Sequence, residues 1–227
     1  MTGRKKKYRG ALHGELKVTP FDLEASGAVA AAVLESAQAP AVVIGRIAVW
    51  AWVQDPSQQE FTKDLDFAVR PEDIQQVAGA LVPYQAEGAS LSPLDIGGVA
   101  IVVPPGCVHI DFVHRRAEEL GDLSGLFTSA IEAAIEEEST VTIGGNVFYL
   151  ALLEHLVAMK ASTGEDKDLR DAARLVAYSI REVDVDEVRD LLRRFSGPAA
   201  QGSFERVLRE TGHPQAHRRG RYGKDQG

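Results

Sequence analysis

Asp64 and Asp66 stand two residues apart in the run Phe61-Thr62-Lys63-Asp64-Leu65-Asp66-Phe67-Ala68-Val69. Side chains at i and i+2 of a strand point the same way, roughly 7 Å apart along the backbone, so one hard cation could be shared by both. Two charges on one face of an otherwise apolar strand need a positive partner, because unpaired buried carboxylates are costly. A third carboxylate, Asp111, lies between apolar neighbours in Val108-His109-Ile110-Asp111-Phe112-Val113. If the two strands are neighbours, three carboxylates converge on one point, and such a cluster cannot stay fully ionised without cations. Magnesium is the hard, oxygen-seeking choice. The plainer reading of Asp111 is a strand-edge acid facing water.

Lys160 follows Leu153, Leu156 and Val157 at helical spacing and so falls on an apolar stripe. A lysine there either snorkels past the edge of the core or meets an anion inside a cleft. In Asp166-Lys167-Asp168-Leu169-Arg170-Asp171, Asp168 and Asp171 are i and i+3 on one helical face. His109, His114 and His155 lack a ligand partner at fixed spacing and read as structural. Trp50 and Trp52 differ by roughly 200° around a helix, so one of them is expected to line the cleft or an interface.

The elements that must hold these residues are legible in the apolar periodicity. Residues 21–37 read as a helix ending before Pro40, 41–44 as a short buried strand, and 46–53 as a helix after the tight turn at Gly45. A loop over 54–59 precedes a strand at 65–69. Pro71 then opens a helix to Leu81 from its favoured first-turn position. Strands at 99–103 and 108–113 are joined by the turn Pro104-Pro105-Gly106-Cys107, and a helix spans about 129–138. Residues 140–148 alternate about Gly144-Gly145 as a small hairpin. Helices follow at about 150–162, 167–180, 186–195 and 203–211, the third opened by Asp184 and Glu187 at capping-box spacing. The fold class is therefore α+β, a small mixed sheet flanked by helices and followed by a helical region. The expected organisation is a basic flexible segment at 1–20, an α/β domain at 21–149, the helical region at 150–212 and a basic flexible tail at 213–227.

Bulk composition narrows the function. The net charge of −8 hides two basic ends: residues 1–10 carry five cations, and residues 213–227 carry a net charge of about +3. The acidic body argues against broad duplex binding, whereas basic ends can hold a phosphate backbone electrostatically. The simpler reading of those ends is two solvated tails. No stretch has the length and apolarity of a membrane span or a secretory leader, which sets the expectation of a cytoplasmic protein with no membrane partner. The single cysteine, Cys107, cannot form an internal disulfide and reads as a small core hydrophobe.

In chain order, these residues are Gly45-Arg46 after a strand, Thr62-Lys63-Asp64-Leu65-Asp66, Asp111 alone on an apolar strand, and Lys160 followed by Lys167-Asp168 and Asp171. From about Val42 to Val176 this arrangement resembles the polymerase β-like nucleotidyltransferase superfamily, and within it the AbiEii-type branch that includes type IV toxins. The resemblance implies the nucleotidyltransferase fold, with Asp64, Asp66 and Asp111 holding magnesium, two ions in the usual arrangement. It implies that Asp111 helps to deprotonate the acceptor and that Lys160 contacts the nucleotide phosphates, with Gly45, Arg46, Lys63 and Asp168 on the nucleotide side. The implied substrate is a nucleoside triphosphate (NTP), the implied reaction is transfer of a nucleoside monophosphate to a hydroxyl, and the partners it suggests are a transfer RNA (tRNA) met through the basic termini and a cognate antitoxin.

The physics of such a transfer agrees, since two cations roughly 4 Å apart held by carboxylates would both activate a hydroxyl and neutralise the leaving pyrophosphate, while a lysine adds fixed charge. One departure stands out. The family turn has a small residue after the glycine, and this chain has Arg46, which could bind phosphate through a bidentate contact or block the pocket. Two further readings are a noncatalytic nucleotide-binding or interaction module of the same fold, and an α/β domain whose acids are surface charge. The last places Asp111 far from Asp64 and Asp66.

Overall fold

The computed structural model describes residues 9–11, 22–104, 108–114 and 123–217. The basic residues 4–7 and 218–224, and Cys107 with its turn neighbours 105 and 106, lie outside them. A mixed eight-stranded sheet runs in the order β1-β7-β8-β2-β3-β6-β5-β4. Its strands are β1 (Arg9–Ala11), β2 (Ala41–Val43), β3 (Leu65–Val69), β4 (Ser90–Pro93), β5 (Gly98–Val103), β6 (Val108–Val113), β7 (Thr140–Ile143) and β8 (Asn146–Leu150). Helices α1 (Leu23–Ala37), α2 (Gly45–Trp52), α3 (Ile74–Ala86) and α4 (Leu123–Glu136) alternate with them. The chain then turns helical in α5 (Leu153–Thr163), α6 (Asp166–Tyr178), α7 (Val185–Phe195) and α8 (Pro198–Glu210). The expected α+β class with a mixed sheet and a helical second half is what forms.

Register in the middle of the sheet positions the acids. Strands β3 and β6 pair in parallel, with Asp66 opposite Asp111 and Phe67 opposite Phe112. Because side chains alternate, the phenylalanines stack on one face, ring centroids 5.7 Å apart, and the aspartates project from the other. Helix α4 packs on β2, β3 and β8, while α1 packs on β3, β6, β7 and β8 and against α3. Leu123 and Phe127 of α4 border the same cavity as Asp66 and Asp111, so α4 covers the carboxylate side, and α1 with α3 covers the phenylalanine side. One apolar cluster joins α1 through α8 across these layers.

Several expectations differ from the structure in instructive ways. Both tryptophans are buried, Trp50 at 5% exposure and Trp52 at 1%, so neither lines the cleft. Helix α2 is enclosed between β3, α5 and α6, and all its residues from Ile47 to Trp52 are buried; the Trp52 indole donates to the carbonyl of Ala151 at 2.9 Å. Helix α3 continues past Leu81 through Pro83 to Ala86, because seating Tyr84 against the core offsets the missing backbone bond. Helix α4 begins at Leu123, and buries Leu123, Leu126, Phe127, Ala130, Ile131 and Ala134, a complete helical stripe that Gly125 obscures in the sequence. Helix α8 starts at Pro198, after Gly197.

Two edge strands had no sequence signal. Strand β4 is polar and mostly exposed, and β1, inside the segment expected to be flexible, pairs in parallel with β7. An edge strand needs only a neighbour's unpaired N–H and C=O groups, so side-chain pattern leaves it unspecified. Asp184 caps α7 as expected, accepting from the backbone N–H groups of Asp186 and Glu187 at 3.1 Å. Its own N–H, however, donates to Glu154 from α5 at 3.0 Å, a tertiary contact that no local pattern encodes.

His155 on α5 is buried, with the Ser129 hydroxyl 3.1 Å from Nε2, and burial pushes its imidazole down to about 4. Between that value and its ordinary 6.5 the unfolded chain takes up a proton that the folded chain refuses. This stability is therefore present above pH 6.5 and lost as the pH falls towards 4. The expected loss through this residue between pH 7 and pH 5 is on the order of 2 kcal/mol. Urea midpoints of the wild type and His155→Gln at both pH values check it, and parallel shifts in the two proteins would dismiss it.

Candidate active site

Asp64, Asp66 and Asp111 are half-buried and each offers an oxygen, all within 4.8 Å of one another. The alternative that places Asp111 far from the pair is thereby removed. Three like charges at this spacing, with an effective dielectric near 20, repel by about 3 kcal/mol or more per pair. Loss of hydration, then the charges of Asp64 and Asp111, push Asp66 up to about 7, against the pull of Lys160. Burial and Asp64 likewise hold Asp111 above the usual carboxylate range, against His109 and Lys63. Asp64 is oriented by the buried Thr62, whose hydroxyl donates to Oδ1 at 2.7 Å. Hard oxygen donors this close, whose mutual repulsion and burial disfavour the ionised state, fit a divalent cation of magnesium type.

Gly45 sits directly beneath Asp66. The turn from β2 into α2 gives it φ +62°, and a Cβ there would fall inside 3.0 Å of the Asp66 side chain. The Ile44 N–H donates to the Asp66 carbonyl at 2.9 Å, locking the turn to β3. Glycine is thus required twice, for the left-handed backbone and for the close approach.

The other wall is cationic and already paired. Lys160 Nζ contacts Asp168 Oδ1 at 2.6 Å and Asp171 Oδ2 at 3.1 Å. Burial alone would pull this ammonium down, but the two aspartates outweigh it and hold it above the usual lysine range. Burial would in turn raise Asp168, and Lys160 outweighs that and holds it low. Asp171, only 1% exposed at its side chain, also meets Arg46 Nη2 at 3.5 Å and Arg174 Nη1 at 3.0 Å. Arg46 donates further to the Phe61 carbonyl at 3.0 Å and meets Glu60 at 3.2 Å; Glu60 also pairs with Arg174. The arginine that departs from the small-residue turn is therefore drawn sideways into a network joining α2, α5, α6 and the loop before β3.

These groups share a cavity of about 480 Å³, inside the usual range for small-molecule sites. All eight residues singled out from the sequence line it: Gly45, Arg46, Lys63, Asp64, Asp66, Asp111, Lys160 and Asp168. Leu123, Phe127, Leu156 and Met159 supply an apolar side. Glu60 and Arg174 are the contributors that the sequence did not single out, while Asp171, noted there beside Asp168, had no role assigned to it. Asp171 and Arg174 form an i, i+3 pair that the helical register could have revealed. Glu60 lies in an irregular loop with no periodicity to mark it.

The sequence matches no family model and no curated protein. Among solved structures it is similar to the antibiotic-resistance factor ANT(2'')-Ia in solution, at 15% identity and a TM-score of 0.49 over 83% of this chain and 97% of that one. The crystal structure of ANT(2")-Ia with adenylyl-2"-tobramycin gives 13% identity and a TM-score of 0.48, covering 80% of this chain and 98% of that one. An antigenic nucleotidyltransferase-like protein from Paracoccidioides brasiliensis gives 13% identity and 0.47, covering 82% and 87%.

The role of Gly45 can be separated from backbone strain alone. Gly145, in the β7–β8 turn, has φ +77° with open space where a Cβ would go. Gly145→Ala is expected to cost about 1 kcal/mol, and Gly45→Ala clearly more, because it adds a collision with Asp66. Thermal melts of the two variants measure the difference; equal shifts would mean that Asp66 moves aside freely.

Proposed function

We propose that this chain is a magnesium-dependent nucleotidyltransferase that moves a nucleoside monophosphate from a nucleoside triphosphate onto a hydroxyl acceptor. The observation that carries the reading is the meeting of Asp64, Asp66 and Asp111 in a cavity shared with the Gly45 turn and Lys160. In the reaction, the acceptor oxygen bonds to the α-phosphorus, the bond to the β-phosphate oxygen breaks, and pyrophosphate leaves. Asp64, Asp66 and Asp111 would hold magnesium, which when bound supplies positive charge to the phosphates and to the leaving pyrophosphate. Asp111, whose proton affinity is raised by burial and by Asp64, is the group suited to take the acceptor proton. An ammonium has three donors, and two on Lys160 are engaged by Asp168 and Asp171, which leaves one for a phosphate oxygen. Gly45 keeps the turn beside Asp66 free of a side chain.

A noncatalytic nucleotide-binding or interaction module of the same fold is the second reading, and the charge state of the cationic wall favours its noncatalytic character. Arg46 and Lys160 are both neutralised by protein carboxylates, which weakens their hold on a triphosphate. Calorimetry with magnesium and each NTP, together with transfer of an α-phosphate label to cellular RNA or protein, separates the two. The enzyme reading expects magnesium-dependent binding that Asp64→Ala with Asp66→Ala abolishes, and labelled product. Binding without product in any fraction would favour the module. Binding that survives the double substitution would sink the metal site in both.

The finer proposal is membership of the AbiEii-type, toxin-like branch, with a tRNA terminus as acceptor, a cognate antitoxin as partner and a cytoplasmic setting. Its RNA acceptor is supported by Arg4, Lys5, Lys6, Lys7 and Arg9 at one end and Arg218, Arg219, Arg221 and Lys224 at the other. Removal of residues 1–10 is expected to weaken RNA retardation in an electrophoretic assay and to flatten its salt dependence. Unchanged RNA affinity would withdraw the reason for preferring RNA.

A further inference from the structure

Phe61 is 55% exposed, yet it lines the cavity, unlike the exposed Val82, Val147 and Tyr178. Single exposed apolar residues are ordinary on protein surfaces, but the loop carrying this one is tied at three consecutive residues. Its carbonyl accepts from Arg46 at 3.0 Å. Glu60 before it is held by both Arg46 and Arg174. Thr62 after it is buried and fixed to Asp64. The loop therefore spends two arginines on Glu60 and the Phe61 carbonyl while Phe61, at the cavity, stays about half exposed.

We infer that Phe61 is the platform on which the base of the nucleotide stacks, and that Arg46 is the positioning residue that holds the platform in place. This rests on the nucleotide reading above and extends it to the base. Phe61 precedes Asp64 by three residues, so their Cα atoms are at most about 11 Å apart. The base of a nucleotide lies one ribose beyond its α-phosphate, which brings a flat ring to that distance when the phosphates face the carboxylates. Every base has a π-face, so stacking of this kind is tolerant of base identity. Arg46 acts through the loop: its fork ties the helix that begins at Gly45 to the loop carrying Phe61, which accounts for an arginine where a small residue would serve a phosphate turn.

Calorimetry with magnesium and each of the four NTPs, and in parallel with magnesium and inorganic tripolyphosphate, tests both roles. Phe61→Ala is expected to weaken every NTP by roughly 5- to 100-fold while leaving tripolyphosphate unchanged, and Phe61→Tyr to restore wild-type affinity. Arg46→Lys, which keeps the charge but loses the fork, is expected to weaken the NTPs and spare tripolyphosphate. Full NTP affinity in Phe61→Ala, with the wild type binding normally, would overturn the platform and leave the nucleotide reading standing. Equal losses of NTP and tripolyphosphate in Phe61→Ala would reduce the residue to loop structure, and in Arg46→Lys would make Arg46 a direct phosphate ligand. A wild type that binds no NTP would remove the nucleotide reading and the platform together.

Discussion

Mutual repulsion among three carboxylates is the constraint around which the molecule is arranged. The parallel pairing of β3 with β6 sets Asp66 beside Asp111, and the i, i+2 spacing adds Asp64 on the same face. Nothing in the backbone ladder relieves the resulting charge. The sheet is kept together there by the opposite face, where Phe67 and Phe112 stack at full burial under α1 and α3. One face of the strand pair thus supplies apolar stability while the other tolerates a cluster that disfavours its own ionised state.

A second charge system balances the first across the cavity. Asp168, Asp171 and Glu60 are interleaved with Lys160, Arg46 and Arg174, so that each cation meets at least one carboxylate. Buried ion networks contribute little net stability once desolvation is counted, but losing one member leaves an uncompensated charge at heavy cost. Their value here is geometric. Asp171 reaches cations from α2, α5 and α6 at once, which fixes the helical half against the Gly45 turn and holds Lys160 facing the carboxylate cluster.

Much of this was legible in the chain. The alternation around Leu65–Val69 and Val108–Val113, the Gly-Gly hairpin and the apolar stripes of α1, α5 and α7 are local signals, and each formed the element it indicated. The illegible parts share a cause. Strands β1 and β4 exist because a neighbour's edge is available, α3 passes Pro83 because the core is there to receive Tyr84, and Trp50 is buried because helices close over α2 from outside. The acids and Lys160 announced themselves as charges in apolar surroundings, whereas Glu60 gave no such contrast in a polar loop.

The sequence by itself determined which residues are chemically conspicuous and which face of its strand each aspartate occupies, since alternation along a strand is a property of the backbone. Only the tertiary structure decided that β6 lies beside β3 in parallel register, because strand pairing depends on loop closures and packing far along the chain. Only it decided the state of the cations. Arg46 and Lys160 are cations wherever the chain places them, but Asp171, 125 residues beyond Arg46, and its helix neighbour Asp168, eight beyond Lys160, help to determine how much of that charge faces the cavity.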